Sequence, residues 1–177
     1  ISELEKSGIL IRLKKGLYVV SPKKSGKLLS MELIANHLYG PSYVSMESAL
    51  RYYGLIPESV YITQSMTTKH SREFKNSLGK FEYTQCTKEY FAIGIRHEIK
   101  DNAAFLIAQP EKALCDLIVN TPNLNMRFQK EILTYLEDNL RFDMDAFFKM
   151  DANIFQQCAL VGKKKSTITN IIKIIKK

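Results

Sequence analysis

GILIRLKKGLYVV, residues 8–20, consists of two short apolar runs separated by a basic, glycine-containing break. Ile9, Ile11 and Leu13 alternate with Leu10 and Arg12, and Leu17 to Val20 form a β-rich return run, the period-two pattern of paired strands. Lys14-Lys15-Gly16 is the turn, with Gly16 free to take a positive φ. Two readings fit this hairpin. One is an edge hairpin whose lysines keep it soluble. The other is the wing of a winged helix, with its basic tip laid along a DNA backbone.

The preceding residues favour the wing. ISELEKSG reads as the last turns of a helix, with Ile1, Leu4 and Glu5 at helical spacing, Lys6 near the end and Gly8 just beyond it. Helix, glycine stop and basic-tipped hairpin make the second half of a winged helix-turn-helix. The first residue is Ile, so the expectation places the earlier helices upstream, together with the end of the recognition helix that reads bases.

The charge distribution agrees. The chain of 177 residues has a net charge of +8. Residues 1–30 carry seven Lys/Arg against two Glu, a net of +5, and residues 163–177 carry six Lys and no acid. The segment between them is net −3, so the excess lies at the two ends. Clustered terminal cations suggest a polyanionic partner, whereas a solvated tail is the plainer reading of the C-terminal group. No apolar run approaches the ~20 residues that span a bilayer, and no membrane partner is expected. Cys86, Cys115 and Cys158 are not spaced as zinc ligands and read as reduced thiols of a cytoplasmic protein.

Organisation along the chain predicts an α+β protein in three parts. Residues 1–25 are the partial winged helix. SPKKSGKLLS links them to a mixed domain, residues 30–122, with a small, mainly antiparallel sheet. Residues 123–177 form a helical segment with a basic tail. Within the second part, a helix runs from Ser30 to Leu38 with Leu33, Ile34, His37 and Leu38 inward. Pro41-Ser42 turns the chain, and Ser45 caps a helix carrying Met46, Ala49, Leu50 and Tyr53 on one face. VYITQSM, KFEYTQC, YFAIGIR and AAFLIA read as strands, and TTKHSREFKNSLGK as a loop or frayed helix. QPEKALCDLIVN starts a helix with Pro110 at its first position and Glu111 in its first turn. Four helical stretches follow, at about 126–139, 143–150, 151–160 and from Ser166. In the last, Ile168, Ile171, Ile172 and Ile175 share a face, while Lys173, Lys176 and Lys177 point elsewhere. So short a β-branched helix must dock, either on its own core or on a membrane surface.

Catalytic signatures are sparse. The chain has no phosphate-binding glycine loop, dinucleotide motif, H-E-x-x-H or C-x-x-C. His37, His70 and His97 lie in unrelated contexts, and no cofactor is expected. Glu73-Phe74-Lys75 has the E-x-K spacing of metal-dependent nucleases, a three-residue match that chance produces often. An enzyme acting on nucleic acid, delivered by the wing, is the alternative it supports.

Three stretches together resemble the AbiE-type antitoxin family, the regulator half of type IV toxin–antitoxin systems. GILIRLKKGLY is similar to its G-x-L-x-R-L-x-x-G-x-Y wing pattern, YVSMESAL to its Y-x-S-x-x-S-A-L helix, and AQPEKALCD to its A-x-P-E-K-A-L-x-D motif. Order and spacing agree over roughly residues 1–120. The resemblance implies a bacterial cytoplasmic autorepressor that binds inverted repeats in operator DNA near its own promoter, and no enzymatic activity. It also implies a second domain that counteracts a nucleotidyltransferase-like toxin without a stable complex, in phage defence, although a plain regulator without a toxin is also compatible. By analogy Arg12, Lys14 and Lys15 contact phosphate, and Lys6 is a further candidate. The tail's Lys163, Lys164 and Lys165 form a second candidate anionic contact.

Overall fold

The computed structural model describes residues 1–57 and 61–176. A short helix α1 (Ser2–Lys6) leads into an antiparallel hairpin, β1 (Leu10–Lys14) and β2 (Leu17–Val20), in which Arg12 faces Tyr18. Gly16 takes φ +80° in the turn, as the sequence requires. After one turn of helix, α2 (Pro22–Ser25), comes α3 (Met31–Leu38), capped by the Ser30 hydroxyl, which accepts from the Leu33 amide at 3.1 Å. Its buried face is Ile34, Ala35 and Leu38. That phase leaves His37 exposed, correcting its expected place against the core.

The second sheet is built from β3 (Ser42–Val44), β4 (Ile62–Thr67), β5 (Arg72–Asn76), β6 (Gly79–Gln85), β7 (Ile95–Lys100) and β8 (Ala103–Ala108). Their order is β5-β6-β4-β3-β8-β7. Neighbours β5/β6, β4/β3 and β8/β7 run antiparallel, whereas β6/β4 and β3/β8 are parallel. The α+β class holds, but the sheet is mixed. The β4/β6 pair is parallel because β5 runs back between them, and β3 meets β8 only after a long connection that starts with α4 (Met46–Tyr52) and carries β4 to β7. The stretch read as a loop contains β5, which folds back on β6 through a two-residue turn pairing Asn76 with Gly79. It escapes a hydrophobic pattern because this edge strand is largely exposed, with only Phe74 and Asn76 half-buried. The strand expected at YFAIGIR begins only at Ile95. Tyr90 and Phe91 instead belong to α5 (Lys88–Phe91), whose first turn is capped by Thr87. Val60, the expected start of β4, lies outside the described residues, as does Lys177.

Alternation along the strands gives the sheet two apolar faces. Tyr43 and Met66 are register partners on the face that meets α6 (Pro110–Asn120). Ser65 and its partner Tyr83 lie on the opposite face, where the Tyr83 hydroxyl donates to the Ala35 carbonyl of α3 at 2.7 Å. Beyond α6 come α7 (Gln129–Thr134), running into a π-helical turn at Tyr135–Asn139, then α8 (Met144–Phe147), α9 (Ala152–Val161) and α10 (Lys165–Ile175). In α10 the buried face is Thr167, Ile168, Ile171 and Ile174, with Ile172 and Ile175 half-buried at its margins. Thr167 and Asn170 donate to the Met126 and Arg127 carbonyls at 3.0 and 2.8 Å, so this helix docks on the chain itself. Buried side chains from Leu13 to Ile174 form one cluster, and the three expected segments therefore share a core. No helix among the described residues is long and apolar enough to cross a membrane.

Candidate nucleic-acid interface

The hairpin is fastened to the second sheet at its basic end. Leu13 is buried, and its carbonyl accepts from Asn76 Nδ2 of β5 at 3.3 Å. Lys14 extends its ammonium to the Leu38 carbonyl at the end of α3, and it lies 5.9 Å from the centre of the Phe74 ring. The C-terminal carbonyls of a helix lack intrahelical donors, so a lysine there is well placed. Lys14 thus anchors the hairpin, a role that competes with the expected phosphate contact. Arg12 and Lys15 stand exposed on the hairpin, and Lys6 is exposed at the end of α1. These three, with Lys23, Lys24 and Lys27 in and after α2, form the solvent-facing cations of this end.

The C-terminal lysines rest on different elements. Lys163 is exposed beside a cleft of about 360 Å³ bordered by Gln85, Cys86, Tyr90 and Asn120. Lys165 is exposed in the first turn of α10. Lys164 is committed: it adopts φ +52° and donates to the Ile118 and Thr121 carbonyls at the end of α6, both at 2.8 Å. Burial lowers its ammonium below the usual lysine range. The free pair at this site is therefore Lys163 and Lys165, not all three.

Glu73-Phe74-Lys75 lies on β5 rather than in a loop. Glu73 is 2.9 Å from Lys80 Nζ, and Glu82 binds the same ammonium at 2.6 Å. Lys80 thus already pairs with the motif's own carboxylate and with that of Glu82. Among the described residues no group of three or more His, Cys, Asp or Glu side chains could hold a metal ion.

The second and third sequence motifs meet inside the protein. Asp116 of α6 accepts from the Tyr43 hydroxyl at 3.0 Å and the Ser45 hydroxyl at 2.6 Å, both on its Oδ2. Its Oδ1 faces Lys112 Nζ at 3.0 Å, and neither charged side chain is exposed. The Lys112 ammonium also donates to the Tyr90 carbonyl at 3.0 Å and sits 3.0 Å from the centre of the Tyr90 ring. Burial, followed by the Asp116 charge, raises the Tyr43 and Tyr90 hydroxyls well above the usual phenol range. Gly94, at φ +59°, passes over this network; a Cβ there would come within 2.8 Å of Lys112 Cβ. The Ser45 hydroxyl, expected to cap α4, turns to Asp116 instead, and the amide of Glu47 is satisfied by Gln64 Oε1 at 3.2 Å. The signal that could have found this network is Lys112 and Asp116, one turn apart amid the apolar residues of mid-α6; the flanking apolar stripe masks it. Sealed from solvent, the network ties β3, the start of α4, α5 and α6 together.

No protein-family model matches this sequence, and no curated protein matches it.

Proposed function

We propose that this chain is a cytoplasmic, DNA-binding transcriptional autorepressor whose second domain acts as an antitoxin against a nucleotidyltransferase-like toxin, and that it works by binding rather than catalysis. The observation that carries the DNA reading is the fastened hairpin with Arg12 and Lys15 exposed on it, preceded by exposed Lys6 at the end of α1. Cations held on a rigid projection suit a duplex backbone, because phosphate contacts fix position without reading bases. The antitoxin part of the reading rests on the family resemblance. It draws support from the pairing of the two resembling motifs, since Tyr43 and Ser45 of one bind Asp116 of the other.

The test is genetic. A reporter driven by the chain's own promoter should be repressed by the protein, and Arg12→Ala with Lys15→Ala should relieve that repression. Co-expression with a neighbouring nucleotidyltransferase gene should restore growth even when the two proteins do not co-purify. An unrepressed reporter together with unrescued growth contradicts the reading.

A further inference from the structure

Three aromatic rings line the junction between the hairpin, α3 and β5. Tyr39 lies 5.6 Å from Phe74 and 5.3 Å from Tyr83, and Phe74 lies 5.8 Å from Tyr83, measured between ring centres. Hydrogen bonds hold two of the rings: the Tyr39 hydroxyl donates to the His70 carbonyl at 3.2 Å, and Tyr83 is bonded to Ala35. Cations gather over this cluster. The Arg72 guanidinium is 4.9 Å from the Phe74 centre and 5.8 Å from that of Tyr39, and Lys69 Nζ is 5.3 Å from Tyr39. Lys69 and Arg72 are both exposed. Neighbouring acids face away, because Glu73 alternates with Arg72 and Phe74 along β5 and is drawn with Glu82 to Lys80.

We infer that Lys69 and Arg72, set on the Tyr39–Phe74 platform, form a phosphate clamp that extends the DNA contact from the hairpin onto the second sheet. A guanidinium lying over aromatic rings still offers its planar fork of N–H donors, the geometry that pairs with a phosphate. Lys69 adds a point charge beside it. Lys14 ties the platform to the hairpin, so the clamp and the exposed hairpin cations Arg12 and Lys15 sit on one continuous body. Such a surface takes a phosphodiester backbone and carries no base preference. The inference rests on the DNA-binding reading and adds a second contact site to it.

The test titrates the chain against a labelled random-sequence duplex over a range of salt. Lys69→Gln with Arg72→Gln should weaken binding and flatten the log K against log salt slope by about 0.9 for each phosphate no longer neutralised. The melting midpoint should stay in place. Arg72→Lys should recover only part of the affinity, because the fork is absent. Unchanged affinity and slope in the double variant, with Arg12→Gln/Lys15→Gln still weakened, overturn the clamp and leave the hairpin reading intact. Absence of DNA binding by the unaltered chain overturns both. Inorganic phosphate bound at Arg72, without an effect of the double variant on duplex affinity, makes this a small-anion site and also overturns the proposal.

Discussion

Lys112 Nζ lies 3.0 Å from Asp116 Oδ1 across one turn of α6, with both side chains sealed from solvent. An isolated ion of either sign would be costly in such a place. Here the ammonium is held by a carbonyl and a tyrosine ring, and the carboxylate by two hydroxyls. The arrangement joins β3, the start of α4, α5 and α6 at one point.

Removing one charge should therefore be severe. Lys112→Met or Asp116→Asn should each lower unfolding free energy by about 3–5 kcal/mol, the usual penalty for orphaning half of a buried pair. Replacing both charges with apolar residues, together with Tyr43→Phe and Ser45→Ala, should cost less than either single change. Urea unfolding measures both. A single variant within about 1 kcal/mol of the parent would show that the network contributes little.

Alkaline pH should destabilise the protein. Burial is the leading cause that raises the Tyr43, Tyr53, Tyr83 and Tyr90 hydroxyls above their ordinary value of 10.0. The folded chain then keeps protons that the unfolded chain releases, so stability falls as pH rises above about 10 and is unaffected by these groups below it. Each retained proton steepens the fall by about 1.4 kcal/mol per pH unit. Tyr43→Phe should start less stable yet lose stability more slowly. Urea midpoints across that range check this, and identical alkaline slopes for parent and variant would contradict it.

Within the tail, docking and charge separate by residue. Ile171→Ala should cost about 2–5 kcal/mol through the cavity it leaves. Lys164→Ala should lower stability by about 1–2 kcal/mol, since two helix-terminal carbonyls are deprived of their charged donor. Lys163→Ala and Lys165→Ala should each change stability by less than about 0.5 kcal/mol. Thermal melts decide the order; equal, negligible effects of all three lysine changes would remove Lys164 from its anchoring role.

The E-x-K spacing should carry no chemistry. With magnesium or manganese present, the purified chain should leave plasmid DNA intact, and Glu73→Gln should bind duplex DNA no more weakly than the parent. Metal-dependent cleavage that disappears in Glu73→Gln would make the protein a nuclease.

Where local pattern and burial coincide, the sequence suffices. The hairpin, the Ser30-capped α3 and the Pro110 start of α6 follow from periodicity and caps; the isoleucine helix does too, but its buried face turns to Ile174, with the expected Ile172 and Ile175 at the margins. β5 is hidden because an edge strand facing water shows no apolar alternation, and β3 because three residues are too few to display a period. Strand order is illegible for a different reason: register and parallel pairing are set by what packs across the sheet. Among the site residues, composition marks the basic ends but does not show which lysines are occupied. Lys14 and Lys164 look in the sequence like their neighbours Lys15 and Lys163, yet each is directed to helix-terminal carbonyls. The platform under Lys69 and Arg72 depends on Tyr39 at the end of α3 meeting Phe74 and Tyr83 of the much later strands β5 and β6.

The central claim is that exposed hairpin cations bind a duplex backbone, and the salt dependence of binding tests it most directly. Anisotropy titrations of the parent chain and of Arg12→Ala/Lys15→Ala should be run against operator and random duplexes at several salt concentrations. The account predicts that the double change weakens both duplexes alike and flattens each slope by about 1.8, from ~0.9 per neutralised phosphate. A parent-like slope and affinity in the double variant would place the DNA contact elsewhere and contradict the account.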